Sequence, residues 1–322
     1  SSSLDQIAED RVMTEESELF AAEPGGASAA YTNVRAADHQ PLIDAKAHCE
    51  ELWADFKPLA DRQFLDRFPF EFHQRWFEMY TAAALKRAGF EVHSADAGPD
   101  IQTSIDGRRV WIECVCATGG EPGRPDSVPE RVVTKLGDPP VVTRVPHEKV
   151  VLRLRNSLRE KADKYTTYLK NGVVKPDDLL VVSLNVHAIP HAWPDMEDFM
   201  MRSLYGVGNI VIRMSRDTGE VLGTDREHVA SISKASGAEV GVLPFIDGSM
   251  GHITGVLGSR ADAANRPARL GDDFDFFPNL TADQPWPGGI IKLGEEWIFE
   301  EADGEWTGKQ ASYLRDNPDS EK

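Results

Sequence analysis

The chain has 322 residues, 41% of them hydrophobic and 27% charged, and 53 acidic against 35 basic side chains give a formal net charge of −18. That length allows one large domain or two smaller ones around a sizeable buried core. No apolar run approaches the ~18 residues of a membrane span, so no membrane association is expected, and the acidic balance argues against a protein that coats duplex DNA by bulk charge alone.

The first residues, Ser1-Ser2-Ser3-Leu4-Asp5, lack the basic-then-apolar pattern of a secretory signal. Three cysteines, Cys49, Cys114 and Cys116, do not make a disulfide framework. Together these point to a cytoplasmic protein. Residues 1–40 are acidic and rich in Ala, Gly and Ser, as in Ala21-Ala22-Glu23-Pro24-Gly25-Gly26, and are expected to be a disordered N-terminal segment.

From Pro41 to Leu59 a helix is expected, with Leu42, Ala45, Leu52 and Phe56 on one stripe. A second runs from Glu71 to Ala88 on Trp76, Phe77, Tyr80, Ala84 and Ala88, and Gly89 ends it. Asp100–Ile105 and Val110–Val115 read as strands, and Asp106-Gly107 between them is a preferred two-residue hairpin turn. Residues 117–147, rich in Gly, Pro and charge, read as a long loop of the kind that is usually functional or mobile. A third helix is expected from His147 to Asn171, with Gly172 as its cap and Val151, Leu154, Leu158, Tyr165 and Leu169 as its apolar stripe. Leu179–Leu184 reads as a buried strand, and Asn209–Met214, Val229–Ile232, Val240–Phe245 and Ile253–Leu257 as further strand-like runs.

This order predicts an α/β fold with a mixed central β-sheet flanked by helices. The expected organisation is a helical lead-in and core over 41–185, a β-rich extension of the sheet or a small second domain over 186–300, and a frayed acidic tail over 301–322. No phosphate-binding glycine loop and no Gly-x-Ser-x-Gly motif appears.

The turn sets the hairpin register. With Asp106 and Gly107 as loop residues, Ile105 pairs with Arg108, Gln102 with Trp111, and Asp100 faces Glu113. Like charges directly opposite on a sheet are destabilising unless a cation is near or water screens them. Glu113 sits between Ile112 and Cys114, in an apolar run where a lone carboxylate is costly to desolvate.

Gly98-Pro99-Asp100, a short hairpin, then Trp111-Ile112-Glu113-Cys114-Val115 resembles the PD-(D/E)XK nuclease superfamily, over about residues 70–185. The resemblance implies a restriction-endonuclease-like core in which Asp100, Glu113 and the backbone of Cys114 hold Mg²⁺ or Mn²⁺. It also implies an assisting glutamate on the upstream helix, matched by Glu78 in Phe77-Glu78-Met79-Tyr80. The pattern's lysine, two residues after the glutamate, is Val115 here. In some family members that lysine has migrated to the following helix. Ser157, Lys161, Lys164 and Tyr168 form one polar stripe on that helix, beside its apolar stripe. Lys161, or else Lys164, is the candidate replacement, with Arg153 and Ser157 as substrate contacts.

The expected activity is metal-assisted phosphodiester hydrolysis in a nucleic acid, DNA by analogy with the family. The alternative is a catalytically inactive binding module on the same fold, acting through a protein or nucleic-acid partner. A third reading has the acidic surface mimic nucleic acid towards a basic protein.

Overall fold

The structure is a computed structural model and describes residues 18–94, 97–132, 137, 139, 141, 144–303 and 305–314. The chain divides into two compact units: residues up to Ala83 with Asp262–Asn265, and Ala84–Ala261 with the chain from Arg266 onward.

The first unit is helical. A 3₁₀ turn at Glu18–Phe20 leads to α1 (Ala29–Ala36), α2 (Gln40–Phe56), the short α3 (Phe64–Arg67) and α4 (Phe72–Arg87), whose last turn belongs to the second unit. Ser28 caps α1 by accepting from the Tyr31 N–H. Phe20, Tyr31, Phe68 and Phe72 pack ring against ring, with centroids 5.2–6.4 Å apart. The expected disordered segment is therefore corrected from Glu18 onward: Leu19, Phe20, Tyr31 and Val34 are buried, and four apolar anchors outweigh the Ala/Gly/Ser composition around them. Residues 1–17 of that expectation lie outside the described residues.

The second unit is built on an eight-stranded mixed sheet. β2 (Ile101–Ile105) lies between β1 (Val92–His93) and β3 (Arg108–Cys116) and pairs antiparallel with each. The crossover from β3 passes through α5 (His147–Lys170) to β4 (Leu179–Asn185), which runs parallel to β3. β4 is buried along its whole length, as suits a continuous apolar run at the centre of a sheet. After α6 (Met196–Tyr205) come two separate two-stranded ribbons: β5 (Val207–Met214) with β6 (Val221–His228), and β7 (Ser231–Ser233) with β8 (Glu239–Gly241).

The chain then returns to the central sheet with β9 (Gly255–Ser259), β10 (Asp275–Pro278), β11 (Glu295–Ala302) and β12 (Glu305–Ser312), so that its strand order is β1-β2-β3-β4-β9-β10-β11-β12. The expected frayed tail is corrected here. β11 and β12 pair antiparallel from Glu295↔Ser312 to Ala302↔Glu305; residues 315–322 lie outside the described residues.

α5 and α6 pack on one face of the sheet. Val150, Val151, Leu154, Leu158, Ala162 and Tyr165 of α5 meet Trp111 of β3 and Val182 and Leu184 of β4 in one buried cluster. Gly172, at φ 71°, takes the left-handed cap that ends the helix.

Candidate functional site

The site grows from the β2–β3 hairpin. Asp106 and Gly107 have φ of 50° and 78°, the two left-handed residues that a type I′ turn needs. The ladder above the turn is Ile105↔Arg108, Ser104↔Arg109, Thr103↔Val110, Gln102↔Trp111 and Ile101↔Ile112. One further step places Asp100, just ahead of β2, opposite Glu113. The Asp100 Oδ2 accepts a 2.7 Å hydrogen bond from the Cys114 N–H. Cys114, expected to lend its backbone to a metal, thus uses its N–H to hold Asp100, and its side chain is buried.

Glu113 is 0% exposed. It shares a strand face with Trp111 and Val115, and α5 lies over that face, where the Tyr165 hydroxyl sits 2.9 Å from the Trp111 carbonyl oxygen and 2.8 Å from that of Val181. This clip sets the helix at a height where its polar stripe reaches the strand. Lys161 Nζ lies 2.8 Å from Glu113 Oε2. Lys164 Nζ lies 2.7 Å from Oε1 and 2.9 Å from Oε2. The Tyr168 hydroxyl stands 3.1 Å from the Gly98 carbonyl oxygen and 3.3 Å from Glu113 Oε1.

Two carboxylates thus meet two ammonium groups. Burial alone would lower the Lys164 pKa, but Glu113 beside it, helped by Asp100, reverses this and raises it above the ordinary lysine value. The Tyr168 hydroxyl is raised by burial and by the Glu113 charge, against Lys164. Burial also holds the Tyr165 hydroxyl well above its usual range. Both tyrosines stay neutral donors.

The substrate contacts expected on α5 lie further along the helix from the lysines. Arg153 is eight residues before Lys161, about 12 Å along the helix, and its Nε donates to the Thr118 carbonyl. Ser157 is buried. Arg155, with its pKa lowered to about 10 mainly by burial, turns to the Gly241 carbonyl on β8. The basic residues of α5 therefore do not form one phosphate-contacting face. Glu78 belongs to the first unit, where it accepts from Gln74 and from the Arg75 guanidinium. Val115, at the place of the pattern's lysine, is half-buried and packs against the apolar cluster.

Asp100 and Glu113 supply hard oxygen donors of the kind Mg²⁺ and Mn²⁺ take. Mg²⁺ commonly rests on one or two carboxylates while water and substrate phosphate complete its shell. Among the described residues no group of three or more His, Cys, Asp and Glu is placed to hold a metal ion. The residues present fit a two-carboxylate site and not an all-protein cage.

Sequence reasoning missed the double anchor of Tyr165 and the part of Tyr168, although Tyr168 lies four residues after Lys164 on the same stripe. It also missed a second acidic cluster, where Asp272, Asp273, Asp275 and Glu295 line a cavity of about 330 Å³ with Arg260.

Comparison of the chain with known protein families, with curated proteins and with solved structures returns no match. Among the described residues no helix is long and apolar enough to cross a membrane.

Proposed function

We propose that the chain is a metal-dependent nuclease with a restriction-endonuclease-like core, in which the strand lysine of the PD-(D/E)XK pattern is replaced from the following helix. One observation carries this reading: the ammonium groups of Lys161 and Lys164 reach the buried Glu113 from α5, over the strand face where Val115 stands in place of lysine. A buried carboxylate opposite a second one, with cations delivered by a separate element, is the charge arrangement phosphodiester hydrolysis uses.

In this reading Asp100 and Glu113 would hold a divalent ion, which would supply Lewis-acid polarisation of the phosphoryl group and lower the pKa of a bound water. The chain's own part is to hold Glu113 oriented. Lys164 bridges both of its oxygens, and Tyr168 braces Oε1. Lys161 makes one bond to Oε2 and keeps two N–H groups to stabilise charge that develops on a phosphate oxygen. DNA as the substrate rests on the family resemblance alone.

The test is hydrolysis of labelled DNA and RNA with Mg²⁺ or Mn²⁺, comparing the wild type with Asp100→Asn and Glu113→Gln. Loss of activity in both variants is expected. Activity that survives in both overturns the proposal.

A second reading treats the same four charges as a closed ion network in a non-catalytic binding module. The full engagement of both Glu113 oxygens by lysines favours it. Calorimetric titration with Mn²⁺ separates the two: a nuclease site binds the ion and loses that binding in Asp100→Asn, whereas a closed network binds none.

A further inference from the structure

The ribbon of β5 and β6 stands apart from the central sheet and is exposed along nearly its whole length. Ile210, Ile212, Met214 and Val221 share one face, each between 56% and 61% exposed. Leu222, skipped by the ladder between Arg213↔Gly223 and Met214↔Val221, is 69% exposed. A lone two-stranded ribbon is marginally stable at best in water, and an apolar strand edge left open invites pairing. Among the described residues its ion pair and side-chain hydrogen bond to α6 lie at the base: Arg226 to Asp198 at 3.1 Å, and Arg202 to Asn209 at 2.8 Å.

We infer that this arm is a dimerisation element and that its occupant is the arm of a second copy of the chain. Charge selects that occupant. In a protein of net charge −18, the arm alternates Arg213, Arg216 and Arg226 with Asp217, Glu220, Asp225 and Glu227. A mixed surface of this kind complements its own two-fold copy. It repels a phosphate backbone, although a two-stranded ribbon has the dimensions to enter a major groove.

The pairing also answers a second feature. A groove of about 780 Å³ opens at the base of the arm, lined by Gly206–Asn209 and Glu227 of the arm together with Arg144 ahead of α5 and His147, Glu148 and Lys149 in its first turn. When the free edges of two β5 strands pair antiparallel about Ile212, Ile210 meets the partner subunit's Met214, apolar against apolar. The same register lays the tip, Ser215–Glu220, beside Gly206–Asn209 of the other copy. Asp217 and Glu220 then approach Arg144, His147 and Lys149, and the contact is reciprocal, as a two-fold interface requires. Centring on Arg213 instead would set two arginines side by side.

The experiment is sedimentation velocity on the full chain across the micromolar range, with circular dichroism as the folding control. The wild type is expected to sediment as a dimer and Ile212→Asp as a folded monomer. Asp217→Lys with Glu220→Lys is expected to weaken association about tenfold or more. Under mild oxidation Ile212→Cys is expected to link two copies, because residues at the dyad of a strand pair lie within disulfide reach, whereas Val132→Cys, 59% exposed elsewhere, is not. A wild type that stays monomeric, a dimer that survives Ile212→Asp, or an arm that binds duplex DNA as a monomer overturns the inference.

Discussion

Lys164 sits with its ammonium across both oxygens of Glu113, 2.7 Å from Oε1 and 2.9 Å from Oε2, although the residues are 51 positions apart. Lys161 adds a third contact at 2.8 Å. Glu113 is fully buried, while the side chains of Lys161 and Lys164 are 18% and 43% exposed. The carboxylate is therefore the member that cannot return to water, and the lysines are there to compensate it.

That asymmetry predicts how the lysines combine. Lys161→Met and Lys164→Met each leave one ammonium on Glu113, so each alone should cost about 1 kcal/mol. The double variant strands a buried carboxylate, and breaking a buried pair in this way costs about 3–5 kcal/mol. Urea denaturation of the four proteins in a double-mutant cycle should show a loss clearly larger than the sum of the singles. Strict additivity would mean that Glu113 reaches solvent by another route.

The raised Lys164 pKa gives the same network a pH signature. Its contribution is fully present below the unfolded lysine value of about 10.4 and is lost as pH rises through the higher folded value. Melting temperatures of the wild type and Lys164→Met should stay separated by a constant gap up to about pH 10 and converge above it. A gap that closes near neutrality would contradict the pairing.

For activity the two lysines should differ. Lys164 braces both oxygens of Glu113, while Lys161 uses one bond and is the freer donor. Removal of one preorganised donor to developing charge costs about 10²–10³-fold. Single-turnover hydrolysis with Mg²⁺ should fall by about that much in Lys161→Met and by less in Lys164→Met. Arginine at 161 should rescue poorly, because its planar fork does not occupy the place of a point charge. Equal losses in both methionine variants would make the lysines one structural unit.

Much of this site is legible in the chain before any coordinates. Asp106-Gly107 dictates the turn, the turn dictates the register, and the register puts Asp100 opposite Glu113. The 4-3-4 spacing of Ser157, Lys161, Lys164 and Tyr168 likewise places both lysines on one stripe. What spacing cannot decide is how far α5 slides along the sheet, because that depends on Tyr165 finding two backbone acceptors on β3 and β4. Composition misled at both ends. Four buried apolar residues order the helices around Tyr31, and in β11 the acidic run Glu295–Glu301 hides Trp297 and Phe299, which pack on the core. The division at Ala83 was invisible because α4 continues through it without a break.

A second titration is expected far from the lysines. Asp275 on β10 is paired with Glu295 of the parallel β11. Burial, Glu295, and to a smaller extent Glu197 and Asp273 push its pKa up to about 7, against the pull of Arg260. The folded state then holds a proton that the unfolded chain has lost. Stability from this group is present below the ordinary aspartate value, declines as pH rises from about 4, and is gone above about 7. Asp275→Asn removes the decline. At pH 8 it should raise the melting temperature by roughly 2–4 °C, the shift that 1 kcal/mol produces in a unit of this size, with little effect at pH 4. A variant less stable than wild type at pH 8 would show that the carboxylate has a favourable partner there.

The hairpin turn offers a last test that separates folding from chemistry. Gly107 holds φ 78° with nothing within 4 Å of an added Cβ, so Gly107→Ala meets no clash and only the left-handed penalty of about 1–2 kcal/mol. The register below the turn has its own determinants, since Ile101, Thr103 and Ile105 are buried and a one-residue slip would turn all three to the other face. Gly107→Ala should therefore lower stability by that amount, read from urea denaturation, and leave metal affinity and hydrolysis per folded molecule unchanged. A fall in hydrolysis without a matching fall in stability would mean that the turn, and not the buried face of β2, sets the distance between Asp100 and Glu113.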